Sequence, residues 1–280
     1  TNNKFLLISN QRCGSTWFIT SVGNCKNIKT DYEIKWSEKM LIGKASPYHL
    51  FLEENNLDDI FNKLYSLGNI KSYGSKFVFD FYKPFPINSY NDFLNKFNNN
   101  KIIHLKRNYL DILKSKLVGR VTHILDKKFF EKNRIIDNII LDKQDDYSNI
   151  QKNISKNKKI INFNASSSYL FNLFINDVLA LSLKRNNKFL SIRYEEMKNN
   201  LSYISNFLNI PIEDLKENFY EKPVIKKNNI RYEENFENIY DLKKINKKLI
   251  DKIDFLSKNN FDFDSIISYD SVTNKLKVNI

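Results

Sequence analysis

Residues 4–17 read Lys4-Phe5-Leu6-Leu7-Ile8-Ser9-Asn10-Gln11-Arg12-Cys13-Gly14-Ser15-Thr16-Trp17. The first six, rich in Phe, Leu and Ile, have the composition of a strand. The polar and glycine residues that follow form a loop, and a helix-compatible stretch runs from about Ser15 to Cys25, where Phe18, Val22 and Cys25 recur at helical spacing. A glycine between strand and helix lets the backbone turn tightly and approach a ligand. Ser15, Thr16 and the free amides of the helix offer donors to an anion, backed by the helix dipole. Arg12 adds a planar fork of donors suited to two oxygens of a phosphate or sulfate. The nucleoside-triphosphate loop would read GxxxxGK(S/T), and both its spacing and its lysine are absent. The plainer alternative is an ordinary helix start with a surface arginine.

Moving outward, the same grammar recurs. Lys76 to Tyr82 reads as a second strand and Lys101 to Lys106 as a third, which runs into Arg107, Asn108 and a helix over about 109–124. Leu110, Leu113, Leu117, Val121 and Ile124 form its stripe, Asn108 is its expected N-cap with Asp111 three residues on, and Ser115 lies off the stripe. Between about Asp126 and Ser168 the chain is polar and charged, which suggests exposed helices or a cap at about 120–168. An apolar helix is expected at Tyr169 to Leu183, a fourth strand at Lys188 to Arg193, and an amphipathic helix at Leu201 to Leu208, closed by Asn209 and Pro211. The stretch from Lys222 to Asn235 is basic with little periodicity. Alternating strands and helices imply one α/β domain over residues 1–280, with a mainly parallel sheet flanked by helices in three layers. Ligands in such sheets bind beyond the carboxyl ends of the strands. Arg107 stands at one such end, and with Ser115 it makes a second anion site, so the ligand should carry two separated anionic groups.

Composition narrows the classes. Forty-five Lys and Arg against 32 Asp and Glu leave a net charge of +13 in 280 residues. That excess favours polyanionic partners, although charge runs usually belong to solvated faces. Two cysteines make neither a disulfide framework nor a paired metal knuckle. The apolar runs fall far short of the ~20 residues of a membrane span. With no basic-then-apolar leader at the start, the expectation is a soluble, cytoplasmic protein.

Taken together, Arg12-Cys13-Gly14-Ser15-Thr16-Trp17 resembles the 5′-phosphosulfate loop of the sulfotransferases that use 3′-phosphoadenosine 5′-phosphosulfate (PAPS). Arg107-Asn108 with Asp111 and Ser115 resembles their 3′-phosphate segment. Arg193-Tyr194-Glu195-Glu196-Met197 is similar to the family's Tyr-Glu-Asp-Leu segment, and Asn206-Phe207-Leu208-Asn209 stands where its Phe-Leu-Gly helix end would fall. Cys13 departs from the more usual serine. The arginine in the loop and Gly74-Ser75-Lys76-Phe77-Val78-Phe79-Asp80 look closer to the carbohydrate and bacterial glycolipid branch than to the steroid and phenol branch. Lys227 and Arg231 loosely match that branch's Lys-Gln-Ser-x-Arg and are placed near the nucleotide.

The resemblance implies a P-loop-like fold and transfer of a sulfuryl group from PAPS to an acceptor hydroxyl, leaving PAP, by in-line displacement without a metal. Donor binding falls to Arg12, Cys13, Gly14, Ser15, Thr16, Trp17, Arg107, Ser115, Tyr194, Lys227 and Arg231. Arg12 and Lys76 stabilise charge near the sulfuryl group. Glu33, in a loop after the first helix and beside aromatics suited to a sugar, is the expected general base; Asp31 and Glu38 lie nearby and His123 is the reserve. His104 is expected in the core, and His49 in a loop near the acceptor. The acceptor is a small molecule or glycan, with no specific nucleic acid and no transmembrane segment implied. Two rival readings remain at this level: a P-loop-type nucleotide kinase or hydrolase, and a basic nucleic-acid-binding protein.

Overall fold

The structure, a computed structural model, describes residues 3–30, 33–38, 49–53, 57–65, 72–79, 90–109, 111–112, 115, 163–221, 267–270 and 275–278. The elements in chain order are β1 (Asn3–Asn10), α1 (Ser15–Gly23), β2 (Ile28–Lys29), β3 (Glu33–Lys35), β4 (His49–Phe51), α2 (Leu57–Tyr65) and β5 (Ser72–Phe79). There follow α3 (Tyr90–Lys96), β6 (Lys101–Lys106), α4 (Phe163–Ser182), β7 (Lys188–Arg193), α5 (Leu201–Leu208), α6 (Ile212–Lys216), β8 (Ile267–Asp270) and β9 (Lys275–Val278). The chain divides into two compact units. One comprises Thr1–Arg107, Phe171–Lys222 and Lys258–Ile280, the other Asn108–Leu170 and Pro223–Ser257. The first holds the sheet.

That sheet has seven strands in the order β4-β3-β5-β1-β6-β7, with β2 also on β5. Every ladder in it is parallel. The chain leaves β1 towards β5 and later returns to the other side of β1 at β6. The order therefore reverses at the carboxyl end of β1, the place where α/β sheets bind ligands. Alternation along the strands assigns the two faces. Leu6, Ile8, Tyr73, Phe77, Phe79 and Ile102 join Ile60 and Phe61 of α2, Phe93 of α3, Phe97 just after it and Leu179 of α4 in one buried cluster. Phe93 and Phe97 lie 4.6 Å apart and Phe77 and Phe97 5.2 Å apart, ring to ring; each such pair adds about 0.5–1.5 kcal/mol beyond area burial. On the opposite face Phe5, Leu7, Ile103 and Leu105 are equally buried. The central strands are thus covered on both sides, as a parallel sheet requires.

Several expectations hold at their boundaries. β6, β7 and α5 begin and end as the sequence reading has them, and Asn108 caps its helix by accepting from the Asp111 N–H at 3.3 Å. Asn209 adopts the left-handed conformation with φ 56° that ends α5. Other expectations are corrected. The second strand, described as Ser72–Phe79, starts four residues before the expected Lys76, because Ser72, Gly74 and Ser75 are buried in the ladder despite lacking apolar side chains; the expected end at Tyr82 lies outside the described residues. Three short strands, β2, β3 and β4, are additional to the sequence reading. Glu33 begins β3 and His49 begins β4, so neither lies in a loop. α4 starts six residues before the expected Tyr169.

Candidate active site

The loop after β1 is bent by two residues with left-handed backbone, Arg12 at φ 64° and Gly14 at φ 84°. Gly14 is also the N-cap of α1, which has no side-chain cap and no acidic residue in its first turn. Its leading amides are left without an internal acceptor, as an anion-binding helix start requires. A Cβ on Gly14 would stand 2.4 Å from Cε2 of Tyr194. Both the backbone angle and the available space therefore demand glycine here.

Tyr194, the residue after β7, supports more than the loop. The Arg107 guanidinium lies 4.6 Å over its ring, a cation–π contact. From there Arg107 Nη1 donates to the Arg12 carbonyl at 2.9 Å, while Arg107 Nε is buried with no partner. Trp17 packs edge-on to Tyr194 at 5.7 Å and to Phe219 at 5.4 Å. Phe219 reaches it from a π-helical turn at Glu217–Glu221. The ends of β1, β6 and β7 are thereby joined around one loop. The Arg12 side chain itself is exposed.

A buried polar network lies under the same loop. Asn10, the last residue of β1, donates through Nδ2 to Asp177 Oδ1 at 2.9 Å and to the Leu173 carbonyl at 3.1 Å, and accepts from Asn176 Nδ2 at 2.9 Å. Asp177 also meets His104 Nε2 at 3.0 Å. His104 is in the core as expected, with Nδ1 buried and unpartnered. Burial and then Asp177 push the Cys13 thiol well up from its ordinary value. It stays neutral and acts as packing, not as a nucleophile.

On the other side of α1, Lys76 Nζ donates to Thr16 Oγ1 at 3.1 Å and pairs with Glu33 Oε2 at 2.6 Å. Lys35 pairs with Glu33 Oε1 at 2.7 Å and donates to the Val78 carbonyl at 3.3 Å. Register explains the cluster, since Glu33 stands beside Lys76 and His49 in neighbouring strands. Burial alone would raise the Glu33 pKa, but Lys76 and then Lys35 outweigh it and hold it at about 2. His49 is pushed below its ordinary value by burial, with Glu33 opposing and the two lysines assisting. Lys106, at the end of β6, is likewise lowered by burial, against the pull of Asp177.

Of the expected site residues, the structure brings together Arg12, Cys13, Gly14, Ser15, Thr16, Trp17, Arg107 and Tyr194, and sets Lys76 and Glu33 against Thr16. Ser115 is helical and belongs to the second unit. His123, Lys227, Arg231 and Asp31 lie outside the described residues. Trp36 is not available to stack on a sugar, because it is buried in the core cluster near Phe93. Sequence reasoning missed Asn10, Asp177 and Lys35. Asn176-Asp177 inside the otherwise apolar helix Tyr169 to Leu183 is the signal that could have flagged the network, since a buried carboxylate needs partners. Among the described residues there is no group of three His, Cys, Asp or Glu side chains able to hold a metal ion, and no helix long and apolar enough to cross a membrane.

No curated protein sequence matches the chain. Among solved structures, a sulfotransferase from Alicyclobacillus acidocaldarius is similar, with 11% identity and a TM-score of 0.44 over 90% of this chain and 93% of that one. The family model of the sulfotransferase domain matches residues 2–277. With an uncapped helix start, a glycine that nothing else could replace and a strand-end arginine tied to the same loop, the chain belongs to the sulfotransferase family and is an enzyme of sulfuryl transfer.

Proposed function

We propose that the sulfuryl donor is PAPS and that the acceptor is a hydroxyl of a carbohydrate or glycolipid. The observation that carries the donor assignment is Arg107, whose Nη1 is anchored on the loop carbonyl of Arg12 while its buried Nε has no acceptor. A buried guanidinium N–H without a partner is costly, and a phosphate oxygen would satisfy it. Arg107 then takes the 3′-phosphate, and the Gly14–Thr16 amides with Arg12 take the 5′-phosphosulfate.

PAPS supplies an activated sulfuryl group, so the protein's part is positioning and charge stabilisation. Thr16 and Lys76 form one unit, and Lys76 is shared between the loop and Glu33. Held by two lysines, Glu33 is ionised at every working pH but weakly basic. Drawing Lys76 Nζ towards the transferred group removes one of its two ion pairs, and Glu33 Oε2 becomes basic enough to accept the acceptor hydroxyl's proton. The carboxylate position beside the loop, with no histidine in that role, is what favours the carbohydrate branch. Ser115, His123, Lys227 and Arg231 enter this reading on the sequence alone. Two free, buried cysteines support a reducing, cytoplasmic setting.

The test is a calorimetric titration of Arg107→Ala with PAP and with 5′-AMP. A lost charge-assisted hydrogen bond is worth about 1.5–3 kcal/mol, so PAP affinity should fall about 10- to 100-fold while 5′-AMP binding barely changes. Equal losses for both ligands would contradict the 3′-phosphate assignment. Retained PAP affinity would also contradict it.

A further inference from the structure

The opposite end of the sheet carries a second feature that sulfuryl transfer does not use. Where β1, β6 and β7 begin, a cleft of about 490 Å³ is lined by Lys4, Asn99, Asn100, Lys101, Asn186, Asn187 and Lys188. Strand length places it roughly 25 Å from the loop at the other end of β1, at ~3.3 Å per residue. Every lining residue is a cation or an amide.

Backbone pairing builds the cleft rigidly. The Asn99 N–H donates to the Asn186 carbonyl at 3.2 Å, the Lys188 N–H to the Asn100 carbonyl at 3.1 Å, and the Asn100 N–H to Asn187 Oδ1 at 2.7 Å. Asn99 closes the turn in left-handed geometry at φ 59°. These bonds hold the starts of β6 and β7 side by side, so Lys101 and Lys188 are direct register partners. Lys4 has a carboxylate partner in Asp58. Lys101 and Lys188 have none among the described residues. Burial, and after it the neighbouring Lys188, push the Lys101 ammonium below its ordinary pKa.

Asn100 adds a second, independent indication. It is only 5% exposed, and its Nδ2 donates to the carbonyls of Phe97 at 3.3 Å and Asn98 at 2.8 Å. Those two bonds fix the amide orientation and leave the carbonyl oxygen Oδ1 buried without a donor. The cleft therefore has two cations lacking an anion among the described residues, and a lining residue, Asn100, whose buried acceptor lacks a hydrogen. A bare oxyanion answers the first deficit only.

We propose that this cleft is a second binding site, distinct from the transfer site, for an oxyanion ester of a polyhydroxylated molecule: a sulfated or phosphorylated saccharide. The ester oxygens sit between Lys101 and Lys188, and a sugar hydroxyl donates to the Asn100 side of the wall. No bond is made or broken there.

The test is calorimetry at low ionic strength on the full chain, with PAP present throughout to occupy the donor loop. The ligands are glucose 6-sulfate, glucose 6-phosphate, glucose and inorganic sulfate. Both esters are expected to bind the wild type, with glucose silent and inorganic sulfate weaker, and the ratio of the two esters tells a sulfated from a phosphorylated source. Lys101→Gln/Lys188→Gln should weaken both esters at least tenfold with PAP binding unchanged, and circular dichroism checks that the variant is folded. Asn100→Ala should weaken the esters while leaving inorganic sulfate alone. Ester binding unaltered by the lysine variant, or absent from the wild type at millimolar concentration, overturns the site. Inorganic sulfate binding as tightly as the esters overturns its saccharide character. These readings stand whether or not PAP is the donor, because loop variants report on that question separately.

Discussion

The two ends of the sheet treat positive charge differently. Around the loop after β1, cations are held by their neighbours: Lys76 and Lys35 by Glu33, and Arg107 by the Arg12 carbonyl and the Tyr194 ring. At the start of β6 and β7, Lys101 and Lys188 are adjacent with no carboxylate paired to either among the described residues. A held cation keeps its place before the ligand arrives, which suits catalysis by preorganised charge. Unheld cations cost stability until an anion binds, which suits a site whose only task is binding. An excess of +13 is therefore informative only through where each charge sits and what faces it.

The largest expected effect comes from breaking the held end at its backbone. Gly14→Ala forces a side chain into left-handed geometry at about 1–2 kcal/mol and into the Tyr194 ring at a further ~1–3 kcal/mol. The melting temperature should fall sharply and PAP binding should be lost. Adding Tyr194→Ala removes the collision but not the backbone strain, so it should recover only part of the melting temperature, and full recovery would contradict the dual role of the glycine.

Glu33→Gln comes next. The folded pKa of Glu33 lies near 2 against an ordinary 4.5. Its contribution is therefore fully present above pH 4.5 and is lost as pH falls through about 2. Discounted for partial exposure and coupling, the contribution is on the order of 2–3 kcal/mol. The variant should lose that stability at neutral pH and show a flatter acid limb in urea titrations between pH 5 and 2. Turnover should fall 10²- to 10⁴-fold if Glu33 is the base, with PAP affinity largely intact. Unchanged turnover would remove it from that role.

Asn10→Ala tests the network beneath the loop. It takes partners from the buried Asp177 and Asn176, and an unsatisfied buried group costs about 1–3 kcal/mol. A urea melt should show the loss, with donor affinity falling because the end of β1 is no longer tied to α4. The smallest effect sharpens the contrast from the other end: Lys101→Gln should raise stability slightly at low salt, and the gain should vanish as salt screens the pair. A matching gain from Lys76→Gln would erase the difference between the two ends.

Much of the donor loop is legible in the sequence, for local reasons. A strand that ends in polar and glycine residues before a helix has few conformations to choose from, and Arg12 to Trp17 lie within a few residues of one another. β6, β7 and α5 are legible because their periodicity and caps are contained in the segment itself. β3 and β4, of three residues each, are too short to show a period. The early start of β5 is hidden because Ser72, Gly74 and Ser75 are in the ladder through their neighbours. Gly74 sits against Phe5, where a Cβ would meet the ring at 2.1 Å, and that contact is set by a strand nearly 70 residues away.

What the sequence determined by itself was the family's signature and the alternating parallel architecture, since short-range pattern is enough to specify both. What only the tertiary structure decided was which distant charges meet. Glu33 meets Lys76 and Lys101 meets Lys188 because parallel register aligns residues that are tens of positions apart, Arg107 meets Arg12 because β1 and β6 end side by side, and His104 meets Asp177 because α4 lies against β6. The electrostatics of a site depend on separations of a few ångströms. The linear chain encodes those separations only through the complete set of strand pairings, and no single segment holds them.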